Sequence, residues 1–161
     1  MSTRRLEDNP WLGWFKLAIW VGILANLAFA LPAFFAPDAA LKLFRLPYYR
    51  ETIWIRDAGG LLTFLSLMYV GAARDPFRYR LTAALAVLGR IAFAVFWWFQ
   101  ILYNDLTYAF VGFAIGDTLI GVLQGVLYVL MMRHEYLQPA LPTAADAEAE
   151  RRRAELVGAA R

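Results

Sequence analysis

The sequence predicts an all-α integral membrane protein, a four-helix bundle with a short interfacial helix and a soluble C-terminal helix. Two observations support this fold class. Of the 161 residues, 61% are hydrophobic and 18% are charged, whereas roughly half of the residues in soluble domains are apolar. The charged residues are also bunched between long apolar runs, without the period of an amphipathic helix or strand. Lipid is therefore the expected solvent for most of the surface.

Four apolar runs are long enough to cross a bilayer as helices, which takes about 20 residues each. We predict membrane spans at about residues 17–35, 53–73, 81–103 and 106–132. Helices are favoured over strands because every run far exceeds the 9–11 residues of a barrel strand. The spans and their connections make up a predicted bundle domain at 1–138. The remaining residues, 139–161, are predicted to form a charged cytoplasmic tail helix. Two readings stay open for 143–161, a helix that contacts a partner and a frayed, solvated tail.

The connection between the first two spans predicts a short helix that begins with Pro37 and Asp38. We expect this helix to lie in the membrane interface. Its apolar residues would enter the acyl boundary while its cations face the headgroups. The apolar set is Leu41, Leu43, Phe44 and Leu46, and the cations are Lys42 and Arg45.

The distribution of Lys and Arg predicts the orientation of the spans. With four spans, eleven of the sixteen cations fall on the side of the two termini. They are Arg4, Arg5, Lys16, Arg74, Arg78, Arg80, Arg133, Arg151, Arg152, Arg153 and Arg161. The opposite side holds four, namely Lys42, Arg45, Arg50 and Arg56. The positive-inside rule then puts both termini in the cytoplasm.

Cofactor chemistry has few possible ligands in this chain. Cysteine is absent, which excludes disulfides, thiolate metal sites and cysteine nucleophiles. The one histidine, His134, cannot supply both axial ligands of a membrane haem or the usual zinc set. We therefore expect no cofactor and no metal, and we expect no nucleic-acid partner.

Two charged residues stand inside predicted spans, where a charge is costly and marks a functional hypothesis. Arg90 lies about ten residues into the third span and Asp117 about ten residues into the fourth, so antiparallel helices would bring them to the same depth. We predict that they pair, either as a structural clasp or as part of a proton or substrate path. Asn26 and Gln124 are predicted to form interhelical hydrogen bonds.

Charged residues at the outer ends of the spans form a second predicted cluster. Arg56 and Asp57 are neighbours in sequence and point to different faces, so each needs its own partner. Arg56 is expected to reach outward or to meet Asp105 or Glu51 across the outer face. Two readings stay open, an interfacial anchor and an anion or headgroup site that includes Arg50.

Small residues predict the closely packed helix faces. The fourth span contains two Gly-x-x-x-Gly pairs, and the second span begins with adjacent glycines. Such residues let helix backbones approach closely, within one chain or between two chains. The residues predicted for helix packing are Gly112, Gly116, Gly121, Gly125, Gly59 and Gly60.

The layout of the chain resembles small bacterial four-helix inner-membrane proteins, including the broad DoxX-like group. The resemblance rests on the Pro-Asp interfacial helix, on Ile-Arg-Asp-Ala-Gly-Gly at 55–60, on Ala-Ala-Arg-Asp-Pro at 72–76 and on the arginine inside span three. It covers about residues 15–132. It implies a location in the bacterial inner membrane, and it brings no catalytic residues that could be transferred to this sequence.

Three functions are compatible with these features. The first is a non-catalytic accessory or assembly subunit of a larger membrane complex, in contact with membrane lipids and with a protein partner or a second copy. The second is a small oligomeric transporter or channel with a polar path through Arg90, Asp117, Gln124 and Tyr128. The third is a lipid-modifying enzyme that uses Asp57 or Asp117 as acid or base, although no nucleophile–base pair supports it.

Overall fold

The computed structural model describes residues 9–47, 51–103 and 110–137, and these residues form five α-helices and no strand. The helices are α1 (Pro10–Phe35), α2 (Pro37–Leu43), α3 (Ile53–Arg74), α4 (Arg80–Tyr103) and α5 (Val111–Leu137). By length and composition, α1, α3, α4 and α5 could each cross a membrane. The number and order of long helices agree with the sequence prediction. The predicted tail helix at 139–161 lies outside the described residues.

The first and last long helices extend beyond their predicted bounds. α1 begins at Pro10 and not at residue 17, because the Asn9 side chain accepts a hydrogen bond from the Trp11 amide at 3.1 Å. An asparagine cap followed by proline is a favourable helix start. α5 continues to Leu137, past the predicted end at residue 132.

The four long helices form a ring in the order α1, α3, α4, α5. α1 packs most extensively on α3, and α4 packs on α5, whereas α3 and α4 have the fewest contacts of any neighbouring pair in the ring. Gly59 explains the close fit of α3 to α1, because a Cβ on this residue would lie 2.7 Å from the Ala30 carbonyl oxygen. Because α3 and α4 contact each other so little, the seam between them is the loosest part of the ring.

The bundle has two hydrophobic cores, one towards each end. The closed-end core lies near the α3–α4 connection and is rich in alanine: Phe15, Ala18, Ile19, Ile23, Ala72, Ala73, Phe77, Ala83, Ala86, Val87, Leu127 and Met131. The aromatic-end core lies near α2, with several rings packed against it: Ala33, Ala40, Leu41, Leu46, Ile55 and Phe110. The two cores differ mainly in the partly buried hydrophobic residues packed against them, which are all aromatic at the aromatic end and mostly aliphatic at the closed end.

The short helix α2 packs on the bundle, which corrects part of the interfacial-helix prediction. Leu41 and Leu46 are buried in the aromatic-end core and do not enter an acyl boundary. The Phe44 ring lies 5.1 Å from the Phe29 ring, and Leu43 is exposed. Arg45 adopts a left-handed φ of 53°, so that the Leu46 amide donates back to the Leu41 carbonyl at 2.9 Å. This turn directs Leu46 into the protein.

Candidate functional site

Arg90 and Asp117 form an ion pair in the middle of the bundle. Arg90 Nη1 donates a hydrogen bond to Asp117 Oδ1 at 2.6 Å, and the two side chains are 11% and 18% exposed. The pair joins α4 to α5 at the depth where the sequence predicts it. Because both charges are largely removed from solvent, loss of either partner would leave the other charge uncompensated.

The second terminal nitrogen of Arg90 binds α1. Arg90 Nη2 donates to the Gly22 carbonyl at 3.0 Å and to Asn26 Oδ1 at 2.8 Å. Asn26 is thus an interhelical hydrogen-bond partner, as its position inside a span predicts. Gly22 was not a predicted site residue, although it lies one helical turn before Asn26 on the same face. Arg90 therefore holds three helices together.

Gly22 also allows Gln124 to approach α1. Gln124 is buried, and its Nε2 donates to the Ala18 carbonyl at 2.9 Å. A Cβ on Gly22 would lie 2.6 Å from Gln124 Nε2 and 3.1 Å from Arg90 Nη2. Successive turns of α1, at Ala18, Gly22 and Asn26, therefore present oxygen acceptors to the other helices.

A cavity of about 370 Å³ borders the ion pair. All four long helices contribute to its wall, and most of the wall is apolar. Aromatic residues in the wall are Phe29, Trp54, Phe93, Phe96, Trp97, Phe110 and Phe113. The polar side chains that line it are Asn26, Tyr69, Arg90 and Asp117. We call Arg90 and Asp117 the charged floor of the cavity.

The cavity extends from the charged floor towards the aromatic-end core. Arg90 and Trp97 both line it and are seven residues apart on α4, which corresponds to about 10 Å. At the far end the Trp97 and Phe110 rings stack, with centroids 5.2 Å apart. On the other side of the floor lies Tyr69, whose hydroxyl would be 3.5 Å from a Cβ on Gly89. The sequence prediction missed Tyr69, a polar side chain within an apolar span.

Exposed residues in the wall indicate where the cavity comes close to the surface of the bundle. Five lining residues are exposed, and the three large ones lie on α3 and α4: Leu61 is 56% exposed, and Phe93 and Phe96 are 44% and 46% exposed. The other two are Ala25 on α1 and Gly112 on α5. The three large residues flank the seam between α3 and α4, the neighbouring pair with the fewest contacts. The three large exposed residues therefore mark this seam as the side of the bundle where we expect the cavity to open.

The predicted packing glycines fall into two groups. Gly121 and Gly125 face α4, where added Cβ atoms would lie 3.1 Å from Arg90 Cγ and 3.6 Å from Val87 Cγ1. Gly60 similarly faces the Phe34 ring at 3.4 Å. Gly112 and Gly116 pack against no other helix in the described part of the chain, since their Cβ atoms would meet nothing within 4 Å. Both line the cavity, which corrects their predicted role in packing within the chain.

Other predicted residues lie away from the cavity. Tyr128 packs in the closed-end half, with its ring 5.6 Å from the Phe15 ring. Neither Gln124 nor Tyr128 lines the cavity, so the predicted polar path through both does not form there. Arg56 and Asp57 are exposed on the first turns of α3, and Asp105 lies outside the described residues. The outer-face cluster stays a prediction.

The site combines an ion pair, whose formal charges cancel, with a mostly apolar chamber. Among the described residues, no group of three or more His, Asp or Glu could hold a metal. Comparisons with protein-family models, with curated proteins and with solved structures find no match to this chain. The function is therefore inferred from the geometry of the cavity.

Proposed function

We propose that this chain is a multi-pass protein of the bacterial inner membrane that binds one lipid-like molecule in the cavity. The observation that carries the proposal is the cavity itself, about 370 Å³ with apolar walls and a charged floor. Its volume falls within the roughly 300–1,000 Å³ of small-molecule sites, which combine apolar walls with a few polar groups.

The outward faces of the four long helices support the membrane location. Large apolar side chains are exposed on each of them, for example Trp14 on α1, Leu67 on α3, Leu88 on α4 and Val126 on α5. Contiguous exposed apolar surface is unfavourable in water and is the normal surface of a helix in lipid. The excess of Lys and Arg on the side of the termini supports cytoplasmic N- and C-termini.

The side opening supports the class of ligand. An opening at Leu61, Phe93 and Phe96 would face the acyl chains of the bilayer, so a lipid-like molecule could enter without crossing water. The apolar wall would then take its hydrocarbon part by burial of apolar surface. A freely soluble polar solute would gain little from such a wall.

Among the functions predicted from the sequence, the geometry favours a narrower form of the second, a substrate site around Arg90 and Asp117. The ion pair does not favour an enzyme in which Asp117 is acid or base, because its carboxylate is held by Arg90. A role as accessory subunit stays a prediction, as does membership of the DoxX-like group. A binding chain of this kind could also serve within a larger complex.

A cavity-filling substitution tests binding. Three photoreactive alkyl probes with alcohol, carboxylate and amine heads are offered to the purified full-length protein in lipid nanodiscs. At least one should label the cavity wall. Gly116→Leu should reduce this labelling at least about tenfold, or about 1.4 kcal/mol of binding free energy, because the added side chain occupies the cavity.

Gly13→Leu is the matched control for that substitution. Gly13 also has nothing within 4 Å of an added Cβ, but it does not line the cavity, so labelling should be unchanged. Equal labelling of Gly116→Leu and the wild-type protein would contradict the proposal.

Membrane orientation is tested separately with alkaline phosphatase fusions, which should be inactive after Arg161 and active at Asn104.

A further inference from the structure

We infer that the ligand bound in the cavity carries an uncharged polar head that both donates and accepts hydrogen bonds, as the hydroxyl of a single-chain neutral lipid does. This inference rests on the proposed function, because it specifies which lipid-like molecule the cavity would select. The inference is argued from an ion-paired arginine and aspartate at one end of a mostly apolar chamber.

The charge of the floor favours an uncharged head. Among the described residues that line the cavity, Arg90 is the one cation and Asp117 the one anion, so their formal charges cancel. A carboxylate or phosphate head would stand beside Asp117, and an ammonium head beside Arg90, each without a free countercharge. Moving a charge from water into an apolar cavity is strongly unfavourable when it is not paired.

The hydrogen bonds of Arg90 also prevent it from turning towards an anionic ligand. Nη2 has two N–H groups, and they are directed to the Gly22 carbonyl and to Asn26 Oδ1 on α1. Nη1 donates to Asp117. Release of the guanidinium would break contacts with both α1 and α5, so the ion pair is a fixed feature of the floor.

The floor still has capacity for a polar head. The three bonds of Arg90 use three of the five N–H groups of a guanidinium. Asp117 accepts from Arg90 through Oδ1, which leaves its second oxygen outside that bond. Because both residues line the cavity, the floor can offer a donor and an acceptor side by side. A hydroxyl group complements both.

The rest of the wall restricts the ligand to one polar head. Between Arg90 and Trp97, over about 10 Å, the lining residues of α4 are apolar or aromatic. A second polar group beside Phe93 and Phe96 would lose its hydrogen bonds to water without replacement from these side chains. The cavity therefore fits an amphiphile with a hydrocarbon tail attached to a single head.

Competition among matched amphiphiles tests the inference. Dodecanol, dodecanoate and dodecylammonium share one tail and differ in the charge of the head. Each competes with the photoreactive alkyl probes for the full-length protein in nanodiscs of zwitterionic lipid at neutral pH. Dodecanol should compete at least about tenfold better than either ion, a difference of about 1.4 kcal/mol.

Two nearly isosteric substitutions should change this preference in opposite directions. Asp117→Asn removes the anion of the floor and should raise the affinity for dodecanoate relative to dodecanol at least about tenfold. Asn26→Asp adds an anion, keeps an acceptor for Arg90 and should favour dodecylammonium. Asp57→Asn changes an exposed carboxylate outside the cavity wall and should leave the preference unchanged. Because Asn26→Asp keeps the ion pair, it gives a result even if Asp117→Asn does not fold.

The outcomes separate this inference from the proposed function. If all three amphiphiles compete equally and Gly116→Leu blocks them all, the cavity binds lipid but does not select the head, and the inference is overturned alone. Preference of the wild-type protein for dodecanoate or dodecylammonium would also overturn it alone. If the probes label the Gly116→Leu variant as strongly as the wild-type protein, the proposed function fails and the inference fails with it.

Discussion

The two glycine pairs of α5 have the same spacing and different surroundings. Gly121 and Gly125 lie against α4, where added Cβ atoms would be 3.1 Å and 3.6 Å from its side chains, whereas Cβ atoms added to Gly112 and Gly116, which line the cavity, would meet nothing within 4 Å. Asp117 stands between the two pairs and forms the floor of the cavity. The comparison teaches that a Gly-x-x-x-Gly spacing permits close packing but does not determine where it occurs.

Side-chain size accounts for the difference between these two halves. Beside Gly121 and Gly125 the bundle contains the closed-end core, where small residues such as Ala83 and Ala86 let the helices approach each other. Beside Gly112 and Gly116 the rings of Trp97, Phe110 and Phe113 face one another. Rings that contact each other across the bundle hold the backbones apart and leave space between them.

The largest expected effect comes from the ion pair at the boundary between the two halves. Arg90→Leu or Asp117→Leu alone should lower the free energy of unfolding by about 3–5 kcal/mol, because the remaining charge is buried without its partner. The double substitution should recover much of this loss. Thermal unfolding in mild detergent measures all three variants.

Arg78→Leu is a suitable control for these variants, because it removes an exposed arginine next to α4. Its effect should stay within roughly 0.5 kcal/mol of the wild-type protein. Strictly additive losses in the double variant would mean that Arg90 and Asp117 stabilise the bundle independently, in conflict with their 2.6 Å contact.

An exchange of glycines tests the comparison directly. Gly121→Leu should destabilise the bundle by about 1–3 kcal/mol, because its side chain would have to fit against Arg90 and Ile91. Gly116→Leu should be neutral or stabilising by up to about 1 kcal/mol, since leucine is the better helix former and has space in the cavity. Thermal unfolding of both variants gives the answer, and equal destabilisation would show that the cavity is closed in solution.

The smallest expected effect concerns the cap of α1 at the closed end. The Asn9 side chain accepts from the Trp11 amide and donates to the Met131 carbonyl at 3.0 Å, which ties α1 to α5. Asn9→Ala should cost about 1 kcal/mol. Thr63→Ala, which removes a bond within α3 to the Gly59 carbonyl, should cost less. The order of the two melting temperatures checks this prediction. A larger loss of stability for Thr63→Ala than for Asn9→Ala would contradict a stabilising role of the Asn9 contact between α1 and α5.

Much of the fold could be predicted from the sequence, and part of the site could be as well. The long helices follow from long apolar runs with few charges, and the Arg90–Asp117 pair follows from equal depth on antiparallel helices. The sequence predicts that Asn26 and Gln124 form interhelical hydrogen bonds, but it does not predict that they bond to Arg90 and to the Ala18 carbonyl. Gly22 was missed because its role depends on a backbone carbonyl, which every residue has.

The sequence by itself determined the features that depend on composition and on distance along the chain. They include helix rather than strand, the four long apolar segments and the depth of Arg90 and Asp117. The tertiary structure alone decided that Leu41 and Leu46 are buried in protein, that Gly112 and Gly116 face a cavity, and that the large exposed residues of the cavity wall lie on α3 and α4. The physical reason is that helix separation depends on side chains from several helices packed together, and residues distant in sequence meet only after the bundle has formed.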